Sequence, residues 1–589
     1  MIPLASVSLS SDLHHSFHNG ALHGTITRTR TTSNPDNNRT RNTHQYDPNT
    51  YLWSSSPPPH APGARPRSAR LKSMRERFRL AELLAGLSMV SDLGYGLPVD
   101  TALRSCVMGT SLARRMELPE PEVGDVFFVS LLFHVGCVAY SHETTELFGD
   151  DLAVNHAAIK TDITDLRDIF ATLIPESTRG LPAMTRVKNA ATMAARGQAF
   201  GRAHNQASCE VARDMARRIG LRGSVSDGLY DMHEWWNGRG ARGVRGEGIA
   251  RSGRIARVAT EAVELVSLGA ADQVTAALRR RSGKTLDPEV VECLVRDVTG
   301  LVEEATAGDP AATVLEIEPG PVIEIRQTEL PSIARVFGDM ADLKSPFTHG
   351  HSQEVARLAV GAAERLGLER DTVARLEVAA CLHDLGRVGV SNRVWSKPGP
   401  LTTGEWEQVK LHSYHSERIL SSTPALAPMA PLVGMHHERL DGSGYHRACR
   451  AGDIGVAARV LATADAYQAM TQHRAHRAAL APADAVEELL GEVRAGHFDP
   501  DVASAVLDAA GQRRAALRWG ARPGGLSDRE VEILGLVAQG CSNPEIGRTL
   551  GISRRTAEHH VQHIYTKIGV STRAAAALFA LEHDLLLRP

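Results

Sequence analysis

What the sequence lacks narrows its class first. It has no apolar run long enough to cross a bilayer, which argues against a membrane-spanning helix. It has no excess of either charge. The 66 Lys and Arg stand against 68 Asp and Glu, so no global field draws in nucleic acid or a membrane, and any basic footprint is local. The seven cysteines are scattered and never form C-x-x-C, which argues against a disulfide framework and against a thiolate zinc site. The opening "MIPLASVSLSSDLHHSFHNG" lacks the basic stretch and apolar core of a secretory signal. Together these absences point to a cytoplasmic location and no membrane partner. What the chain does hold is histidine, 26 in 589 residues, and their placement carries the argument.

The length sets an expectation of about three to four domains. Residues 1–73, rich in Thr, Asn, Arg, Ser and Pro, read as a disordered leader that cannot bury enough apolar surface to offset chain entropy. Either Met74 is the true start or the leader is a flexible arm. From Met74 the texture becomes helical, with Phe78, Leu80, Leu83, Leu84 and Leu87 at helical spacing. The expected division is a helical domain over 74–310, a connector over 311–327, a second helical domain over 328–515, a linker over 516–524 and a terminal module over 525–589. The connector contains "ATVLEIEPGPVIEI" (312–325), which reads as short β-type runs around Pro and Gly.

The two helical domains look like copies of one another. "HEWWNGRG" (233–240) matches "HERLDGSG" (437–444), "RIARVAT" parallels "RVLATAD", "LDP" parallels "FDP", and "LLFHVGCVAYS" parallels "ACLHDLGRVGVS", all in the same order.

Five segments of the second copy carry candidate metal ligands: "HGHS", "LHDLGR", "KLHSYHSE", "MHHE" and "TADAY". The gaps from His351 to His383, His412, His436 and Asp465 are 32, 29, 24 and 29 residues, each about one helix and a turn. Successive helices can thus deliver ligands into one bundle core. Imidazole and carboxylate suit Zn, Fe, Mn or Ni. Seven side chains exceed one tetrahedral ion but fit two ions bridged by a carboxylate, an arrangement that activates water and clamps a phosphoryl group. His349, His415 and His446 read as surface or hydrogen-bonded residues. Asp441-Gly442 with Gly444 reads as a tight turn.

The motifs "GHSQEVARLA", "LHDLGRVGV", "KPGPLTTGEWEQVKLH", "HHERLDGSGY", "ADAYQAM" and "RAHR" stand in the order found in the HD-GYP family of HD phosphohydrolases, which the stretch 330–515 resembles. The resemblance implies an all-helical metal domain. It implies His351, His383, Asp384, His412, His436, His437 and Asp465 as ligands of two or three metals, with Asp384 bridging; for this chain two ions of Fe, Mn or Zn are expected. It implies Asp384 and Arg387 as catalytic residues and Arg387, Tyr445, Arg474 and Arg477 as contacts to a phosphodiester substrate, above all a cyclic dinucleotide. The chain departs from the family in three places. His446 follows Gly444-Tyr445 where proline is usual, Arg387 replaces a lysine, and Phe347 supplies no carboxylate for a third metal.

In the first copy Phe133-His134 stands at the His-Asp pair, Met232 opposite His436 and Thr260 opposite Asp465, with only His233 kept opposite His437. One imidazole does not hold a metal pair, so this copy is expected to be non-catalytic.

The terminal module is legible from its punctuation. Ser527 to Glu530 and Ser542 to Glu545 are capping boxes, Gly540, Gly551 and Gly569 end helices, Ser553 caps a third helix and Ser571 is expected to start a fourth. A short helix, a turn and a longer helix make a helix-turn-helix. Ala557, Val561, Ile564 and Ile568 form its buried stripe, leaving Arg554, Arg555, Thr556, His559, His560, His563 and Lys567 to face a major groove. "LSDREVEIL", "SNPEIGRTLGIS" and "HHVQHIYTKIGVSTRAAA" resemble the LuxR/FixJ-type helix-turn-helix, which implies four helices and homodimeric binding to double-stranded DNA. The expected fold class is all-α: two tandem HD-type domains, then a LuxR-type domain. The expected function is a transcriptional regulator whose metal-dependent phosphohydrolase domain senses or degrades a phosphodiester signal. The alternative is a non-catalytic ligand-sensing HD domain that controls the DNA-binding module.

Overall fold

The computed structural model describes residues 77–511 apart from 180 and 270, together with 523–583 and 585. The expected leader and most of the 516–524 linker lie outside the described residues. Strand is short: β1 (Arg77–Arg79) pairs antiparallel with β2 (Glu324–Arg326), Phe78 opposite Ile325. Phe78, counted above with the first helix, therefore belongs to β1. Its ring is buried while the exposed Arg77 pairs with Glu324.

The first copy is built on α1 (Leu80–Tyr95), α2 (Thr101–Arg115), α3 (Glu120–Leu131), α4 (Ala183–Ile219) and α5 (Arg251–Ser267). The second follows β2 with α6 (Leu330–Asp342), α7 (His351–Arg365), α8 (Arg370–Leu382), α9 (Thr403–Ser421), α10 (Val456–Thr471) and α11 (Pro500–Ala510). The packing repeats. In the first copy α2 lies against α3 and α5; in the second α7 lies against α8 and α10. A buried carboxylate opens the second helix of each copy. Asp92 accepts from Ala102 N, and Asp342 accepts from Ser352 N, both at 2.9 Å, which satisfies a helix N–H that has no partner within its own helix.

The stretch 312–325 is not the pair of β-runs expected from its composition. Asp309 accepts from Ala311 N and caps a helix over Pro310–Ile317, whose Val314 is fully buried and which packs on α1 and α2. Only Glu324–Arg326 is strand, because only those residues find a partner in β1. The expected connector is thus part of the first copy's packing.

The two copies share one apolar core. Gly389, just past the His-Asp pair, lies so close to α1 that an added Cβ would stand 2.7 Å from Leu93 Cγ. Polar contacts cross the same boundary: the buried ammonium of Lys344 meets Asp151, and Arg218 of α4 meets Asp339 of α6. Among the described residues no helix is long and apolar enough to cross a membrane.

The terminal module holds α12 (Asp528–Ala538), α13 (Asn543–Leu550), α14 (Arg554–Ile568) and α15 (Arg573–Glu582). Both capping boxes form, at Ser527 with Glu530 and at Ser542 with Glu545. Gly540, Gly551 and Gly569 take the positive φ that ends each helix. The fourth helix starts one residue later than expected. Thr572 is its cap, accepting from Ala575 N at 3.2 Å, and Ser571 instead donates its hydroxyl to Glu210 of α4. The module therefore sits on the first copy. It also touches the second, where His349 Nδ1 donates to the Ala538 carbonyl at the end of α12.

Candidate metal centre and nucleic-acid interface

The seven sequence-predicted ligands come together, and they do so from five elements. His351 opens α7, His383 and Asp384 follow α8, His412 lies on α9, His436 and His437 follow the helix Ala430–Gly434, and Asp465 lies on α10. All but His437 are buried. They form two sets whose ligand atoms lie within 4.8 Å of one another: Asp384, His412, His436 and His437, and beside it His351, His383 and Asp465.

Asp384 joins the two sets. Its Oδ1 lies 3.2 Å from His412 Nε2 and 3.6 Å from His436 Nε2, while its Oδ2 lies 3.5 Å from His351 Nε2 and 3.6 Å from His383 Nε2. Asp465 spans in the same way, with Oδ1 3.1 Å from His351 Nε2 and Oδ2 3.6 Å from His437 Nδ1.

The backbone sets the tautomers. His383, His412 and His436 each point Nδ1 at the carbonyl three residues earlier, at 2.8 Å (Ala380), 2.5 Å (Val409) and 2.6 Å (Val433). A carbonyl only accepts, so Nδ1 holds the proton and Nε2 turns a lone pair inward. His351 Nδ1 makes the same kind of bond to the Gln468 amide oxygen. Such outer contacts orient imidazole ligands in metal sites. Nε2 of His351 and His383 and Oδ1 of Asp384 are buried with no hydrogen bond of good geometry, and all three face the shared centre. Unsatisfied buried polar atoms that converge on one point fit a metal pair.

The electrostatics favour ligation. Burial raises the Asp384 carboxyl, but Arg387 and His383 outweigh it and hold the group well below the usual carboxylate range. Burial likewise opposes ionisation of Asp465, and the adjacent His351 and His383 rings overcome it and hold the group well below the usual carboxylate range. Burial lowers His351, His436 and His437. Ionised carboxylates and neutral imidazoles are the forms that bind metal. His383 is the exception: burial lowers it, yet Asp384 and Asp465 lift it to about 9, so its proton must leave on ligation.

One glycine makes this geometry possible. An added Cβ on Gly386, in "HDLGR", would stand 2.1 Å from the His412 carbonyl. Without it α9 could not approach and His412 could not reach Asp384. The first copy shows the same approach, Gly136 against the Ser208 carbonyl. This places Ser208 where the second copy has His412, and the shared helix cap at Asp92 and Asp342 places Thr101 where it has His351. Neither substitution was visible in the sequence. With Phe133, His134, Met232 and Thr260, six of the seven candidate ligand positions differ in type between the copies. His134 lies instead between two acids, with Nδ1 3.4 Å from Asp92 and Nε2 3.1 Å from Glu264. Burial lowers this imidazole, but the two carboxylates lift it to about 9. An ion-paired histidine has replaced the bridging carboxylate.

The expected phosphate contacts divide. Arg387 donates to Asp384 Oδ2 at 2.9 Å and stacks 4.0 Å over the Trp395 ring. Trp395 was not anticipated; its indole N–H bonds the Arg387 carbonyl and fixes the local turn. Arg474 lies beside Arg387, and burial followed by that neighbouring charge lowers it to about 10. Tyr445 packs on His437 at 4.3 Å between ring centres. Arg477 is not brought to the site: its guanidinium binds the carbonyls of Ala469 and Met470 and closes the end of α10. His415 and His446 join neither set, and His446 Nδ1 lies 3.3 Å from Ser413 Oγ. Gly442 adopts φ 88°, and Asp441 accepts from Ser443 N at 2.9 Å, so the expected tight turn is there.

On α14, Ala557, Val561 and Ile564 are buried, Ile568 is partly covered and His560 is half-buried. Arg554, Arg555, Thr556 and His559 are exposed. His563 and Lys567 are not free on this face. They lie 2.7 and 2.6 Å from the Glu530 carboxylate, the same group that closes the α12 capping box.

Comparison with known proteins agrees with both halves. Residues 335–502 match the HD domain family, and residues 525–580 match the family of bacterial regulatory proteins named for luxR. The 3′3′-cGAMP-specific phosphodiesterase 3 of Vibrio cholerae is 31% identical over 73% of this chain and 95% of its own length. A crystal structure of a V. cholerae cyclic GMP-AMP specific phosphodiesterase covers 74% of this chain and 99% of its own, at TM-score 0.50 and 26% identity. The cyclic di-GMP phosphodiesterase response regulator RpfG of Xanthomonas campestris is 31% identical over 31% of this chain, which spans about half (49%) of that relative. The chain belongs to the HD-GYP-type family of HD-domain proteins that contains these phosphodiesterases, and it carries in addition a LuxR-type DNA-binding domain.

Proposed function

We propose that this chain is a cytoplasmic DNA-binding regulator whose second HD copy, within 328–515, binds two divalent transition metal ions and hydrolyses a cyclic dinucleotide. The observation that carries the reading is the division of the Asp384 carboxylate between two histidine sets, each turning Nε2 lone pairs inward. Fe, Mn and Zn all accept such a donor set. When bound, ions of this kind polarise a phosphoryl oxygen and acidify water.

The chain's own residues do the rest. His351, His383 and Asp465 would hold one ion, His412, His436 and His437 the other, and Asp384 would serve both. Arg387, propped on Trp395, and Arg474 place two positive charges beside the carboxylates, where a phosphodiester would otherwise be repelled. Tyr445 walls the site next to His437. The first copy, with its connector, serves as a scaffold that carries the DNA-binding module of 525–589. That module binds double-stranded DNA as a homodimer through Arg554, Arg555, Thr556 and His559, with His560 at the edge.

The test is turnover. The metal-loaded chain, incubated with 3′3′-cGAMP and with cyclic di-GMP, is expected to release linear dinucleotide or mononucleotides, and Asp384→Ala is expected to abolish this. Metal-loaded protein that turns over neither would contradict the hydrolase reading.

A further inference from the structure

The described residues leave few large apolar side chains exposed, and one of them, Trp406, stands beside the metal centre. It is 41% exposed. It lies on α9, six residues before His412, which is about 9 Å along a helix axis. Its ring meets Tyr445 edge-on with 5.7 Å between centres, and Tyr445 in turn packs on His437. The three rings form a continuous aromatic wall leading from the ligand histidines outward. Lys397 is tied to Glu405 and Lys410 to Glu407, so the neighbouring lysines are engaged and the indole is the open group of this turn.

A flat aromatic face reached through Tyr445 from the histidine cluster is suited to a nucleobase, because every base has a π-face and stacking tolerates base identity. We propose that Trp406, with Tyr445 behind it, is the stacking platform for one base of the nucleotide whose phosphate lies at the metal centre. This rests on the phosphohydrolase reading above and adds to it the group that reads the base. Trp406 positions the substrate and takes no part in the bond-breaking step.

The experiment is calorimetric titration of the full, metal-loaded chain with GMP and with ribose 5-phosphate, which lacks the base. The wild type is expected to bind GMP about tenfold or more tightly than ribose 5-phosphate. Trp406→Ala is expected to remove that margin and Trp406→Phe to keep most of it, with affinity for ribose 5-phosphate and metal content unchanged in both. A GMP margin that survives Trp406→Ala overturns the platform. A wild type that binds ribose 5-phosphate but gains nothing from the base overturns it too, and leaves the phosphohydrolase reading standing. Binding of neither ligand by metal-loaded wild type fails that reading, and the platform with it.

Discussion

Asp384 is the residue on which the centre turns, because its two oxygens face different histidines. The support around it is testable at the same scale. Gln468, three residues after Asp465 on the same helix face, holds His351 by Nδ1. Gln468→Leu is expected to weaken metal binding about 10- to 100-fold, read by competition with a chelator, while leaving the fold intact. An unchanged affinity would show that His351 needs no such support. On the DNA side the structure separates residues that the sequence grouped. Arg554→Ala is expected to weaken DNA binding and to reduce the salt slope by about 0.9 if it removes one phosphate contact. Lys567→Ala, which loses an intramolecular partner of Glu530, is expected to lower stability more than the salt slope. Equal salt slopes in the two variants would contradict that division. The seven converging side chains were legible because their motifs stand in order. Gln468 and Trp395 were not, since the partners of an outer contact depend on how helices meet rather than on sequence spacing.

Among the elements, the histidine-bearing helix ends share one device. Each ends so that an imidazole bonds the carbonyl three residues back, which fixes the ring's tautomer. In the terminal module, Glu530 does several tasks at once. Burial raises its carboxyl, but Lys567, Ser527 and His563 more than compensate and bring it to about 2 from an ordinary 4.5. The folded value is depressed, so its stabilisation is present above about pH 4.5 and is lost as pH falls toward 2. Hydrogen exchange at amides 531–538, corrected for intrinsic rate, is expected to show protection falling between pH 5 and pH 3. Glu530→Gln is expected to start lower and to change little across that window. A wild type with flat protection there would show that Glu530 is not the controlling group. Capping boxes were readable in the sequence because their chemistry is local. The helix over Pro310–Ile317 was misread because its apolar, Pro- and Gly-flanked composition suits either structure, and only packing on α1 and α2 decides. The replacement of His351 and His412 by Thr101 and Ser208 was hidden for a related reason. No residue similarity remains there, only the shared cap and the shared close approach of a glycine.

At the scale of the whole molecule, the first copy repeats the helix packing of the second without its histidine set, and it carries the C-terminal module. The Glu210 carboxylate on α4 accepts from Ser571 N and Thr572 Oγ1, both at 3.3 Å, and from Gln206 Nε2 at 3.2 Å. Glu210→Ala is expected to leave the Ser571 amide and the Thr572 hydroxyl without this acceptor and to lower the local stability of the 571–575 stretch by about 1–3 kcal/mol, read as faster hydrogen exchange there. Metal content is expected to stay as in the parent; metal loss would show that the seat also supports the centre. The central claim, that the second copy is a two-metal centre organised by Asp384, is tested most directly by elemental analysis of the purified full chain beside Asp384→Ala. About two transition metal ions per chain in the parent, largely lost in the variant, is the predicted result. No metal in the parent after reconstitution with Fe, Mn or Zn would contradict it.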